Sequence, residues 1–133
     1  MKTAIVHHSI YQKHETGPGH PETPERYRTV IEALKNDEPL WNSITEITPE
    51  KAAQGVVQAA HTKEHFKRVE NAVANGLDRL DSDTVISMAS FDAALYAAGG
   101  AITAVDAIMQ GEADNAFVAA RPPGHHATAE HAM

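Results

Sequence analysis

Nine of the 133 residues are histidines, and two of them stand side by side in the segment Arg121-Pro122-Pro123-Gly124-His125-His126-Ala127. Imidazole is the side chain that titrates near neutrality, and it is the commonest metal ligand. Two prolines restrict the backbone ahead of the pair, and Gly124 can adopt conformations closed to other residues, so the histidines are expected on a rigid turn. An adjacent pair held in this way can supply a general base and a general acid. The chemistry also needs carboxylates that orient the imidazoles and an electrophile stabiliser such as a metal ion. On local pattern alone, a solvated turn that happens to hold two histidines is an equal alternative.

A second pattern, His61-Thr62-Lys63-Glu64-His65, matches the H-x-x-E-H arrangement in which two imidazoles on one helical face hold zinc. Thr62, however, reads as a helix N-cap, which leaves His61 outside the helix. The expectation is therefore a packed His61, a solvent-facing His65 and no metal bound by this chain. His7 and His8 follow the first apolar run, where either can be a hydrogen-bonded core histidine, and neither is assigned a role. Asp78, Asp81 and Asp83 read as a polar loop in which Asp83 can cap the following turn.

The elements that must position these groups follow from periodicity and punctuation. Thr3 to Val6 predicts a buried strand, followed by a long loop over Ser9 to Pro24. Thr23 and Pro24 open a helix whose Tyr27, Val30, Ile31 and Leu34 share a face, ending near Asn36. Ile44 to Ile47 predicts a short strand. Thr62 caps a helix with Phe66, Val69 and Val73 on one side and a stop at Asn75 and Gly76. Ser90 is expected to cap the longest helix, whose apolar stripe runs from Phe91 to Met109 and whose Gly99 and Gly100 signal close backbone packing. Asn115 to Ala120 predicts a buried strand that delivers the chain to Arg121. Strands alternating with helices predict an α/β fold with a mostly parallel sheet between helical layers, where ligands gather at the carboxyl ends of strands.

Composition narrows the function classes. Eleven Lys and Arg against 18 Asp and Glu give a formal net charge of −7 with no basic run, which disfavours a phosphate backbone as partner. With no cysteine there is no disulfide, thiolate metal site or thiol nucleophile, in keeping with a cytoplasmic protein. The N-terminus lacks the apolar core of a signal peptide, and no stretch approaches the ~20 apolar residues of a membrane span, so no membrane partner is expected. A length of 133 residues with 42% apolar content fits a single domain over residues 1–133.

The segment RPPGHHA at Arg121 to Ala127 resembles the tandem-histidine motif of the histone deacetylase family, which includes acetylpolyamine amidohydrolases and acetoin-utilisation-like proteins. GHPETPER at Gly19 to Arg26 is similar to that family's HPExPxR segment, and LDSDTVIS with the helix after it resembles the family's middle region. The resemblance runs over nearly the whole chain. It implies an arginase and deacetylase type αβα fold and hydrolysis of an acetyl-amide with a metal, usually zinc. By motif, His125 and His126 would be the catalytic pair, Arg26 would line an internal cavity behind the acetyl site, and Asp81 or Asp83 would hold the substrate backbone at the rim.

Members of that family continue beyond the tandem histidines with aspartate and histidine metal ligands and a catalytic tyrosine, which these 133 residues do not contain. Two readings follow from the resemblance. One is a truncated module, inactive alone, that covers its exposed strand edge or helix face by forming a homodimer or larger symmetric oligomer. The other is the amino-terminal part of a zinc-dependent deacetylase acting on acetyl-lysine or acetylpolyamine substrates once the missing half is supplied.

Overall fold

The computed structural model describes residues 1–132. Its centre is β1 (Thr3–His7), whose Ala4, Ile5 and Val6 are completely buried because a neighbour lies on each side. β2 (Ile44–Ile47) and β3 (Asn115–Ala119) flank it in the order β2-β1-β3, both parallel to it, with Val6 opposite Ile47 on one side and Val118 on the other. Strand alternation sends Ile5 toward α1 (Pro24–Asn36), where it packs with Tyr27 and Ile31. Val6 and Val118 face the opposite way, toward Gly100 of α5 (Ser90–Met109). The result is helix, sheet, helix, the expected αβα layering.

Three further α-helices lie among the described residues: α2 (Glu38–Trp41), α3 (Gln54–Val57) and α4 (Lys63–Ala74). In α4 the Thr62 hydroxyl accepts the His65 N–H at 3.2 Å, and Gly76 follows with a φ of +71°, so both expected boundary signals act. Gly99 of α5 lies directly against the backbone of residues 50–52, where Ala52 N–H donates to the Leu95 carbonyl at 3.0 Å. A Cβ on Gly99 would fall 1.8 Å from the Glu50 carbonyl oxygen, which accounts for the glycine inside a helix.

Several expectations need correction. The stretch after β1 is not all loop, because Ser9–Lys13 forms a 3-10 helix capped by the His8 Nδ1, which accepts the Ile10 N–H at 3.1 Å. The cap of α5 is Ala89 rather than Ser90, whose buried hydroxyl instead accepts the Ser87 N–H at 2.7 Å. β3 is an edge strand with Phe117 52% exposed, not a buried one, since no element covers it on the far side among the described residues. Finally, α5 is by length and composition long and apolar enough to span a bilayer, with a mean hydropathy of 1.3 over 18 residues. In this fold its glycines bring it onto the sheet and the 50–52 backbone.

Candidate active site

The tandem histidines hang between two anchors. Upstream, the chain leaves β3 and at once buries Arg121, only 3% exposed. Its Nε and Nη2 donate to the two carboxylate oxygens of Glu22 at 2.8 and 2.7 Å, and its Nη1 donates to the carbonyls of Tyr11 and His14. A planar fork with five donors matches a carboxylate in this bidentate way. Beside it, His14 Nε2 lies 3.5 Å from Glu22 and His14 Nδ1 lies 2.6 Å from the Ser90 hydroxyl. Burial, reinforced by the Arg121 charge and opposed by Glu22, depresses the His14 pKa to about 4. His14 is therefore neutral near pH 7, with one ring nitrogen on the Ser90 hydroxyl and the other facing the Glu22 carboxylate.

Beyond Pro122 and Pro123 the backbone closes a tight turn in which Ala127 N–H donates to the Gly124 carbonyl at 3.0 Å. His125 and His126 are its two central residues, exposed, with ring centroids 4.2 Å apart. The outgoing segment is then tied to the start of α4. Thr62 N–H donates to the Ala129 carbonyl at 2.8 Å, His61 Nδ1 lies 2.9 Å from the Thr128 carbonyl, and Arg68 Nη2 donates to the Glu130 carbonyl at 2.9 Å. A two-histidine turn follows the prolines as expected and is tied down at both ends, but Gly124 does not adopt the left-handed backbone that the sequence led us to expect of it.

The same clamp explains the H-x-x-E-H segment. His61 lies outside α4 as expected, but His65 is buried rather than solvent-facing, and its Nδ1 lies 3.0 Å from Arg68 Nη2. Burial, then Arg68 and His61, lowers its pKa, and because a guanidinium only donates, its Nδ1 is the acceptor of the Arg68 bond. The two rings come within 5.1 Å of each other. Among the described residues, however, no three His, Asp or Glu side chains converge as metal ligands. Neither His125 nor His126 hydrogen-bonds to a carboxylate among those residues. The residues present thus do not by themselves fit the zinc site that the resemblance implies, and they offer proton-transfer groups rather than a ligand set.

The other sequence candidates fall in separate places. Arg26 is exposed on the first turns of α1 and lines a cavity of about 230 Å3 together with Glu22, Phe117, Arg121 and Pro123, on the near side of the histidine turn. Asp81 is consumed by its own loop: its carboxylate accepts the N–H groups of Asp83 and Thr84 at 2.9 and 2.8 Å, which lowers its pKa. The capping of this turn expected of Asp83 thus belongs to Asp81. Asp83 borders a cavity of about 300 Å3 with Thr16, His20 and Arg79. His7 Nδ1 pairs with the Tyr27 hydroxyl at 2.8 Å, and His8 stacks on Tyr96 at 4.2 Å. Sequence reasoning missed Glu22, His14 and Ser90 as members of the site. The available signal was Arg121 itself, a charge directly after an apolar strand, which requires a buried carboxylate.

Comparison with known proteins completes the picture. The histone deacetylase domain profile matches residues 20–133. The chain is 43% identical over 129 residues to a probable deacetylase of Archaeoglobus fulgidus, covering 96% of this chain and 35% of that protein. It is 36% identical over 117 residues to a histone deacetylase-like amidohydrolase of Pseudomonas aeruginosa, covering 86% and 30% respectively. Among solved structures, the HDA15 HD domain superposes with a TM-score of 0.91 at 30% identity, over 99% of this chain and 39% of that one. The chain therefore spans about a third of the length of these curated relatives. Since the matched region holds both proline-bearing segments and the turn between their anchors, the chain belongs to the histone deacetylase domain family.

Proposed function

We propose that this chain carries the proton-transfer pair of a deacetylase, with His125 and His126 as general base and general acid, and that metal ligands and orienting carboxylates are supplied from outside these 133 residues. The observation that carries the reading is the turn itself, which presents two adjacent, exposed imidazoles between rigid anchors at the end of a parallel strand. In amide hydrolysis one imidazole takes a proton from the attacking water. The other delivers a proton to the departing amine nitrogen as the C–N bond breaks. Arg26, on the cavity beside the turn, is suited to an internal lining role, and Asp83, on the cavity it borders with His20 and Arg79, to holding the substrate backbone, whereas Asp81 is occupied within its own loop; acetyl-lysine and acetylpolyamines are the substrate classes.

The 133-residue chain alone is then inactive, because an imidazole pair supplies only the general acid–base share of the acceleration, roughly 10²–10⁴-fold. Deacetylation of an acetyl-lysine peptide by the isolated chain, compared with a His125→Ala, His126→Ala control and with and without added zinc, tests this. No difference from the control is expected. Metal-stimulated turnover abolished by those substitutions would overturn it.

Self-association is the second part of the proposal. β3 leaves an open edge with Phe117 exposed, and α5 turns Val105 and Met109, 58% and 80% exposed, to its outer side. Unpaired strand edges and apolar faces of this kind favour a two-fold interface between copies. Light scattering across a concentration series is expected to show a dimer or larger symmetric assembly; a monomer at all concentrations would contradict it.

A further inference from the structure

We propose that Arg121 and Glu22 act as a positioning pair for the tandem histidines, Glu22 fixing the guanidinium from which the histidine turn is hung. The proposal rests on His125 and His126 being the proton-transfer pair. Glu22 and Arg121 are 99 positions apart, in the two segments that separately resemble family motifs, and the structure joins them through two parallel N–H to carboxylate bonds. Every donor of the guanidinium is used: Nε and one Nη2 proton on the Glu22 carboxylate, the other Nη2 proton toward the Glu22 carbonyl at 3.4 Å, and Nη1 on the carbonyls of Tyr11 and His14. The side chain is thus fixed in translation and rotation to the 3-10 helix, the loop after it and, through His14 and Ser90, the start of α5.

Only Pro122, Pro123 and Gly124 separate this fixed point from His125, and both prolines have a locked φ. The locked prolines leave only the ψ angles and Gly124 to absorb motion between Arg121 and His125, so a displacement of Arg121 reaches the imidazoles in part. General acid–base catalysis depends on that placement, since the imidazole must reach the proton it moves within hydrogen-bonding distance. A lysine keeps the charge of Arg121 but has three donors on a flexible stem, so it cannot occupy the five acceptor atoms in this geometry. A glutamine at position 22 keeps the shape but loses the charge and one acceptor.

The test is nuclear magnetic resonance of the 133-residue chain carrying Arg121→Lys or Glu22→Gln. Backbone order parameters and ring-to-ring cross-relaxation between His125 and His126 are read against the wild-type chain. The expected result is a fall at residues 124–127 from about 0.85 toward 0.6 or below, with loss of the cross-ring signal, while β1 and α4 keep their wild-type values. Unchanged order at 124–127 in a folded variant would overturn the proposal. Unfolding of the whole chain by both variants would overturn it as well, because the pair would then support the domain and not the turn. The readout is order and not turnover, so a metal-loaded chimera of this chain with the Archaeoglobus fulgidus relative whose turnover survives His125→Ala and His126→Ala refutes the catalytic reading while leaving this measurement decisive for the pair.

Discussion

Replacing Gly99 by alanine separates helix propensity from packing. In an exposed helix interior the change from Gly to Ala stabilises by about 1 kcal/mol. At position 99 the new Cβ would lie 1.8 Å from the Glu50 carbonyl oxygen and 2.8 Å from the Ala52 nitrogen, both backbone atoms that no rotamer change can move aside. Relief requires α5 to separate from the 50–52 segment, which strains the Ala52 to Leu95 hydrogen bond. Overpacking of this kind costs about 1–3 kcal/mol or more, and the strained bond adds about 1 kcal/mol. The net expectation is a destabilisation of about 1–3 kcal/mol, or a Tm lower by roughly 4–12 °C for a domain of this size. Gly100→Ala is the internal control. Its Cβ would meet side-chain atoms, the Tyr11 hydroxyl and Val118 Cγ1 at 3.3 Å, which must give by a few tenths of an ångström, and Val6 Cγ1 at an ordinary 3.7 Å. Its Tm is expected to stay within roughly 4 °C of wild type. Thermal melts followed by circular dichroism decide the matter, and a Gly99→Ala variant as stable as Gly100→Ala would refute the close crossing.

Two other outcomes follow from the same contacts. The His14 pKa of about 4 lies below its unfolded value, so the unfolded chain takes up a proton as pH falls through 6.5 while the folded chain does not until about 4. Stability is full above pH 6.5 and the His14 contribution declines by about 3 kcal/mol between there and pH 4; urea midpoints at pH 7 and 4.5 are expected to differ in wild type and to differ less in His14→Gln, where His8 and His65, whose pKa values are also lowered, keep the remainder. For metal, the extensively dialysed chain is expected to hold no stoichiometric zinc by elemental analysis, since structural and catalytic sites need three or four convergent ligands. One tightly bound zinc per chain would instead point to His61 and His65.

Where order is local, the residues announce it. The Thr62 cap, the Pro24 start, the Gly76 stop and the paired glycines of α5 each act through neighbours within a turn or through the absence of a side chain, and each is legible in one dimension. The 3-10 helix after β1 is not, because its cap is the His8 ring rather than a residue usually found there. Burial of β3 was overestimated because an apolar run reports side-chain character and not the number of flanking strands. His65 illustrates a similar limit: its helical position is readable, but its burial depends on residues 128–131 folding back over α4. The least legible feature is the link from Arg121 to Glu22, since a partner 99 positions away leaves no periodic trace.

A chimera in which residues 1–133 replace the aligned third of the Archaeoglobus fulgidus relative tests the catalytic assignment most directly. Turnover of an acetyl-lysine peptide is measured at equal metal content for the parent chimera and for His125→Ala and His126→Ala. Each substitution is expected to lower kcat by roughly 10²-fold or more without loss of metal. A folded, metal-loaded chimera whose turnover survives both substitutions would contradict the role of the tandem histidines.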